Sequence, residues 1–380
     1  MKVCHVITGL EVGGAELALC ALLETLQQPE NSVVVLRERS VLSDRVAKLA
    51  TLHHLDMNPG RAAPGDLLRL RKALSARGEH PDVVHAWMYH ANLLTSLAMV
   101  GLPTPVIWGI HHSLSDLATE KLRTRAVVRG NALLSRLPTR IRYVSAVAAE
   151  QHKQFGFSAK RAVVIPNGYD TDRLKPDPEA RARVRHELDI GPDALVIGMV
   201  ARVHPTKDHA NFLEAAAHFA GNHPDTVFVL VGEGADAGNR PLLGAIEHLG
   251  LNRRVRLCGR RADVAALDSA FDIATLSSRG EAFPNAIPEA MACGTPCVAT
   301  DVGDAAMIMG DTGVVVPPRN AAALSRGWAQ LAALSASERS ALGLRARQRI
   351  IDCFARDAIG RRFVELYWEL VTTPCEDPQA

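Results

Sequence analysis

Short, almost wholly apolar runs rich in Val and Ile alternate along the chain with longer stretches whose apolar residues recur at helical spacing. In the first half, the runs predicted as strands are Lys2–Thr8, Ser32–Leu36, Asp82–His85, Val106–Ile110, Arg142–Ser145 and Val163–Ile165. Between the first two, Ala15, Leu19, Leu22 and Leu26 fall on one helical face. The second half restarts the pattern with Leu195–Val200, Thr226–Val231, Val255–Leu257, Ile273–Leu276, Pro296–Ala299 and Val314–Val316. Phe212, Ala216 and Phe219 mark a helix between the first two of these. Strands that are apolar throughout, rather than alternating, belong to parallel sheets covered by helices on both faces. Twelve of them exceed an ordinary open sheet, so the pattern predicts two doubly wound α/β domains.

The seam is expected near Asp170–Pro178, where polar residues and prolines interrupt the pattern before a charged helix, Glu179–Leu188. From Ser335 to Leu370 the pattern is purely helical, with Phe354, Ile359, Phe363 and Tyr367 as apolar markers, and the tail Thr373–Ala380 reads as frayed. Two such domains put a cleft between the carboxyl ends of their strands, where sheets of this kind bind ligands.

Composition adds exclusions. With 47% hydrophobic and 22% charged residues, the 380-residue chain is neither disordered nor fibrous. No apolar run reaches the roughly 18 residues of a spanning helix. The apolar start Val3–Leu10 is too short for an export signal and ends at Glu11 and two glycines, so the expected location is the cytoplasm. Seven scattered cysteines (Cys4, Cys20, Cys258, Cys293, Cys297, Cys353, Cys375) do not form a disulfide framework. Cys293 and Cys297 lack a second ligand pair at zinc spacing, so all are read as small core residues and no metal is expected.

The formal charge of +2 hides an asymmetry. Residues 1–167 hold 20 Lys/Arg against 13 Asp/Glu, and the remainder 23 against 28. Seven basic residues and no acidic one lie between Lys121 and Arg142, together with Leu122, Val127, Leu133, Leu134 and Leu137. That segment is either a packed helix with a solvated face or a surface for an anionic bilayer.

Three loops carry candidate chemistry. Thr8 to Glu16 joins strand to helix through Gly13 and Gly14, where bare amides attract phosphate, although the dinucleotide spacing Gly-x-Gly-x-x-Gly is missing. Arg202 and Lys207 follow Leu195–Val200 and are either plain surface cations or a clamp on a departing diphosphate. In Ser277–Gly294, Glu281 sits on a loop and Glu289 in the first turn of a helix, whose dipole favours an ionised carboxylate. The two carboxylates can accept hydrogen bonds from hydroxyls at two ends of one ligand, and amides around Phe283, Pro284, Asn285 and Ala286 can receive phosphate between them.

These residues bring a family into view. Gly13-Gly14-Ala15-Glu16, Ile165-Pro166-Asn167-Gly168-Tyr169-Asp170, Arg202 with Lys207, Val231-Gly232-Glu233-Gly234 and the Glu281 to Glu289 block with seven residues between are its carriers. On them the chain resembles, along nearly its whole length, the family-4 retaining glycosyltransferases of the GT-B fold. The resemblance implies two Rossmann-like domains facing across a cleft: residues 1–170 for the acceptor, 171–358 for the nucleotide-sugar, and a last helix, 359–380, crossing back to the first domain. It further implies that Glu281 binds donor-sugar hydroxyls and Glu289 the ribose diol. Arg202 and Lys207 would hold the diphosphate, helped by Phe283 to Ala286 and by Gly14 across the cleft. A histidine after Val106–Ile110 would lie near the reacting sugar. His111 is favoured over His112, although Gly109 stands where the family has threonine two residues earlier.

The function so implied is metal-independent, cofactor-free transfer of a sugar with retention, from a nucleotide-diphosphate donor (UDP-sugar favoured) to a saccharide or lipid-linked acceptor of cell-envelope or exopolysaccharide synthesis. No nucleic-acid partner is expected, and peripheral contact with an anionic membrane fits the basic segment. Two alternatives stand beside it: a nucleotide-sugar epimerase of the same architecture, and a non-catalytic nucleotide-sugar-binding subunit.

Overall fold

The computed structural model describes residues 1–26, 30–58, 64–75, 80–115, 117 and 121–372. The expected frayed tail and Cys375 lie outside these residues. The chain divides into two compact units, one from Met1–Gly168 with the helix Arg356–Thr372, the other from Tyr169–Ala355.

The first unit is built on seven parallel strands: β1 (Lys2–Ile7), β2 (Glu30–Val35), β3 (Thr51–His54), β4 (Val83–Trp87), β5 (Val106–Ile110), β6 (Arg140–Tyr143) and β7 (Ala162–Val164). They lie in the order β3-β2-β1-β4-β5-β6-β7, so the winding reverses between β1 and β4. Helix Gly14–Thr25 buries Leu19, Leu22 and Leu23 in a core shared with Ile359, Phe363, Leu366, Tyr367 and Leu370 of Arg356–Thr372. Strand β3 was absent from the sequence reading. It is a short edge strand, Thr-Leu-His-His with alternating exposure, and so lacks the apolar run that marks its neighbours.

The second unit has six strands: β8 (Val196–Val200), β9 (Val227–Val231), β10 (Val255–Leu257), β11 (Ile273–Leu276), β12 (Cys297–Thr300) and β13 (Gly313–Val316). Their order is β10-β9-β8-β11-β12-β13, with the reversal between β8 and β11. Phe212, Ala216, Phe219, Phe228 and Trp328 form the centre of its core.

The helical stretch from Ser335 holds two helices. Ser335 and Glu338 form a reciprocal capping box that starts Ala336–Phe354. Ala355 is then extended and pairs with Tyr169, where the amide of Tyr169 donates to the carbonyl of Phe354 at 2.9 Å. The last helix therefore begins at Arg356 rather than Ile359. Among the described cysteines all are free; Cys353 is exposed, which corrects its reading as a core residue.

Candidate functional site

Arg202 and Lys207 lie on the loop leaving β8, and Glu281 on the loop leaving β11. These strands are neighbours at the point where the sheet's winding reverses, the usual ligand position in an open parallel sheet. Lys207 Nζ donates to Glu281 Oε1 at 2.5 Å, and Ser278 Oγ donates to the same oxygen at 2.7 Å. Glu281 is mostly buried, its side chain 11% exposed. The guanidinium of Arg202 is exposed and joins none of these groups.

The two loops are tied beneath this pair. Asp208, with φ of 52° and almost no exposure, caps helix His209–Ala220 and takes both Nε and a terminal nitrogen of Arg279 at 2.6 Å. The amide of Arg279 donates to the carbonyl of Thr206 at 2.7 Å, and Ser277 Oγ donates to that of Lys207 at 2.8 Å. From the other side, Gly303 has φ of +54°, and a Cβ there would stand 2.6 Å from the carbonyl oxygen of Ala282 and 2.8 Å from that of Glu281. Glycine is what lets the turn after β12 support the Glu281 loop.

Beyond Glu281, Phe283 and Pro284 are buried, and Asn285 precedes the seven-residue helix Ala286–Ala292. Asn285 Oδ1 accepts from the hydroxyl of Tyr169 at 2.6 Å, whose ring lies near-parallel to Phe283 at 6.5 Å. Glu289 is in the first turn of this helix, as expected, partly buried, and its carboxyl bonds no other described residue. Burial pushes its pKa up to about 7. This overturns the expectation that the helix dipole would favour its ionised form: desolvation outweighs the dipole of a two-turn helix. Nearby Asp268, fully buried, is pushed well above the carboxylate range, by burial first and by Glu289 second.

Asp170-Thr171-Asp172 forms an Asp-x-Asp triplet, a spacing known from metal sites, although no metal is expected from the sequence. Asp170 Oδ1 accepts from the amides of Asp172 at 3.2 Å and Arg173 at 3.1 Å, closing a turn. Among the described residues no three His, Cys, Asp or Glu side chains are grouped to hold a metal ion.

In the first unit, Gly14 opens helix Gly14–Thr25 and is exposed, and the carboxylate of Glu16 folds back over Gly13. His111 follows β5 and is partly exposed. Its ring stacks on Trp87 at 5.2 Å, and its Nε2 is 2.5 Å from a terminal nitrogen of Arg142. Burial, and then Arg142, hold its pKa well below the imidazole range. His112 instead meets the ring of Tyr89 edge-on at 6.3 Å. Gly109 has a local cause: a Cβ there would approach Nε2 of His85 to 3.0 Å, so a histidine of β4 fills the space a larger residue would need.

Sequence reasoning missed Arg142 as a site-bordering residue and counted it in the basic segment. It is 1% exposed, and its Nε donates to the carbonyl of Ile165 at 2.7 Å. The signal was a lone arginine inside the apolar run Ile141–Val144. Arg140 in turn pairs with Glu369 at 2.5 Å, so the basic field is weaker than the sequence suggested. On helix Leu122–Leu134 and the turn after it, Leu122 (78% exposed), Leu133 (83%) and Leu137 (49%) stand among exposed Lys121, Arg123, Arg129 and Arg136. Val127 and Leu134 are partly covered. No described helix is long and apolar enough to cross a membrane.

A family profile described as Glycosyltransferase Family 4 matches residues 12–173, and one described as Glycosyl transferases group 1 matches residues 194–333. The putative glycosyltransferase EpsF of Bacillus subtilis is 26% identical over 310 residues, 79% of each chain. A D-inositol 3-phosphate glycosyltransferase of Geodermatophilus obscurus is 31% identical over 74% of this chain and 67% of its own. The Escherichia coli UDP-Gal:alpha-D-GlcNAc-diphosphoundecaprenol alpha-1,3-galactosyltransferase is 27% identical over 62% of this chain and 61% of its own. Among solved structures, Anabaena HepE in complex with UDP and glucose matches with a TM-score of 0.84 over 97% of this chain and all of its own, at 23% identity, a likeness of fold.

Proposed function

Because the chain belongs to the family-4 glycosyltransferases of the GT-B fold, we propose that it moves a sugar with retention from a UDP-sugar to a saccharide or lipid-linked acceptor in cell-envelope or exopolysaccharide synthesis. One observation carries the reading. Lys207 and Glu281 are joined at the reversal point of the second sheet, and Arg202 stands exposed on the same loop as Lys207.

In this reading Glu281 accepts hydrogen bonds from donor-sugar hydroxyls. Lys207 uses one ammonium hydrogen on Glu281 and offers the others to the diphosphate. Arg202 adds a second cation as charge grows on the leaving group. Glu289, once ionised, accepts the ribose hydroxyls. Following the family resemblance, Gly14 serves the donor phosphates and His111 contacts the donor sugar. No carboxylate nucleophile is invoked, and the departing phosphate takes the acceptor's proton on the same face of the sugar. The exposed Leu122, Leu133 and Leu137 among cations suit an anionic lipid surface, and the galactosyltransferase relative acts on a diphosphoundecaprenol-linked sugar.

The test is a panel of UDP-, GDP- and ADP-sugars followed by thermal shift. A donor at 100 times its Kd stabilises by about 2.7 kcal/mol. Products from the stabilising donor are then examined by anomeric NMR couplings. Transfer or donor hydrolysis with retention supports the proposal. A free epimer, an inverted product, or binding without turnover argues against it. Flotation with anionic vesicles at low salt tests the lipid surface, and absence of binding there removes it.

A further inference from the structure

We propose that Arg142 is a positioning residue for His111: by donating to Nε2 it fixes the ring as the neutral tautomer protonated at Nδ1, so that His111 serves as a hydrogen-bond donor and not as a base. This deepens the reading above, in which His111 contacts the donor sugar.

The tautomer follows from the chemistry of the pair. A guanidinium has five N–H donors and no acceptor, so a ring nitrogen 2.5 Å away must present its lone pair. Nε2 is thereby occupied, and the proton of the neutral ring resides on Nδ1. Protonating Nε2 would set a second positive charge against the first.

Both partners are held. Arg142 lies opposite Gly109 in the β5–β6 register, two residues before His111. Its Nε bonds the carbonyl of Ile165, a terminal nitrogen lies 3.4 Å from Asn167 Oδ1, and the guanidinium carbon sits 5.1 Å from the centre of the Phe363 ring. His111 is stacked on Trp87, which also stacks on His85 at 4.6 Å. Arg142 has no acidic partner among the described residues, so a carbonyl, an aromatic face and the imidazole lone pair replace a counter-ion. Burial draws its pKa down to about 9, which leaves it charged at neutral pH.

The titratable groups around the pair agree. His85 on β4 is held well below the imidazole range by burial first, then by His5 on β1 and by Arg142, and Tyr367 and Arg362 of the last helix act on Arg142. None is a carboxylate that would draw a proton onto His111.

The first test is spectroscopic and uses the whole native chain. With 15N-histidine labelling, and His111→Gln for assignment, two-bond 1H–15N correlations should show His111 neutral and protonated at Nδ1 from pH 6 to 8.5. A proton on Nε2, or a transition to imidazolium in that range, would overturn the proposal. The second test is kinetic, at saturating donor. Arg142→Met should give kcat a new acid limb near pH 6.5, falling about tenfold between pH 7.5 and 5.5 with little change in donor KM. Arg142→Lys should remove most of that limb. An equal loss at every pH would mark a merely structural arginine and refute the assignment. If Arg142→Met does not fold, the spectrum of the native protein decides. If no donor turns over, the proposed function fails while the tautomer is still read.

Discussion

A lysine and a glutamate that share a hydrogen bond in the resting site divide their work only when a ligand separates their tasks. Lys207→Ala should lower kcat by about 10²–10³-fold, because a cation placed where charge develops is worth that much in a dry site. Glu281→Ala should do the same through the lost sugar contacts. Release of nucleoside diphosphate measures both, with circular dichroism confirming the fold. Unimpaired rates in both would refute the site. Glu289 titrates with its own signature. Its pKa of about 7 means that a donor requiring the carboxylate meets it about one-tenth ionised at pH 6 and nine-tenths at pH 8. The affinity for whichever donor the panel selects should therefore weaken about tenfold between pH 8 and 6, and Glu289→Gln should flatten that dependence in calorimetry. Residue types and spacing told where Glu289 stands on its helix. They could not tell its charge, which depends on how much water three-dimensional packing leaves it.

Elements place these groups by tying loops together. The loops leaving β8 and β11 are fastened by Asp208 and Arg279, a paired charge with one fully buried member. Asp208→Ala removes a helix cap and leaves Arg279 without its carboxylate, and the left-handed backbone gives alanine no relief. A loss of about 2–4 kcal/mol is expected in urea unfolding, with donor affinity falling as well. Asp208→Asn should lose less, because the amide still caps the helix. The sequence reading placed every buried strand to within about two residues, because an apolar run between turn signals is a local pattern. It lost β3, whose short edge position relaxes the demand for apolar residues. It set the start of the last helix three residues late, since the break at Ala355 is made by pairing with Tyr169, 186 positions away in sequence. Arg142 was misplaced for the same reason: its partners come from β5, the segment after β7 and the last helix.

Across the whole molecule the buried histidines are unevenly shared. His5, His85 and His152, with the partly exposed His111, belong to the first unit against His209 in the second, and burial lowers the pKa of each. For His5 and His152 it falls to about 4. The unfolded chain then binds protons more readily than the folded one between pH 6.5 and 4. Their contribution is intact above pH 6.5 and is lost as pH falls through that window. At pH 5 each costs about 2 kcal/mol, so the first unit should open before the second on acidification. Hydrogen exchange followed by peptide mapping at pH 7.5 and 5 would show it. Equal exchange in both units, or earlier opening of residues 169–355, would count against the assignment.

The first unit closes its core with a helix from the far end of the chain: Tyr367 bonds Nδ1 of His85 at 2.9 Å, and Phe363 lies over Arg142. A ribosome making this protein therefore releases the missing piece of the first-made half last. The later half, uninterrupted from Tyr169 to Ala355, can be finished while the earlier one still waits. A stop codon after Ala355 should spare the younger half and leave the older one as an open, aggregation-prone nascent body.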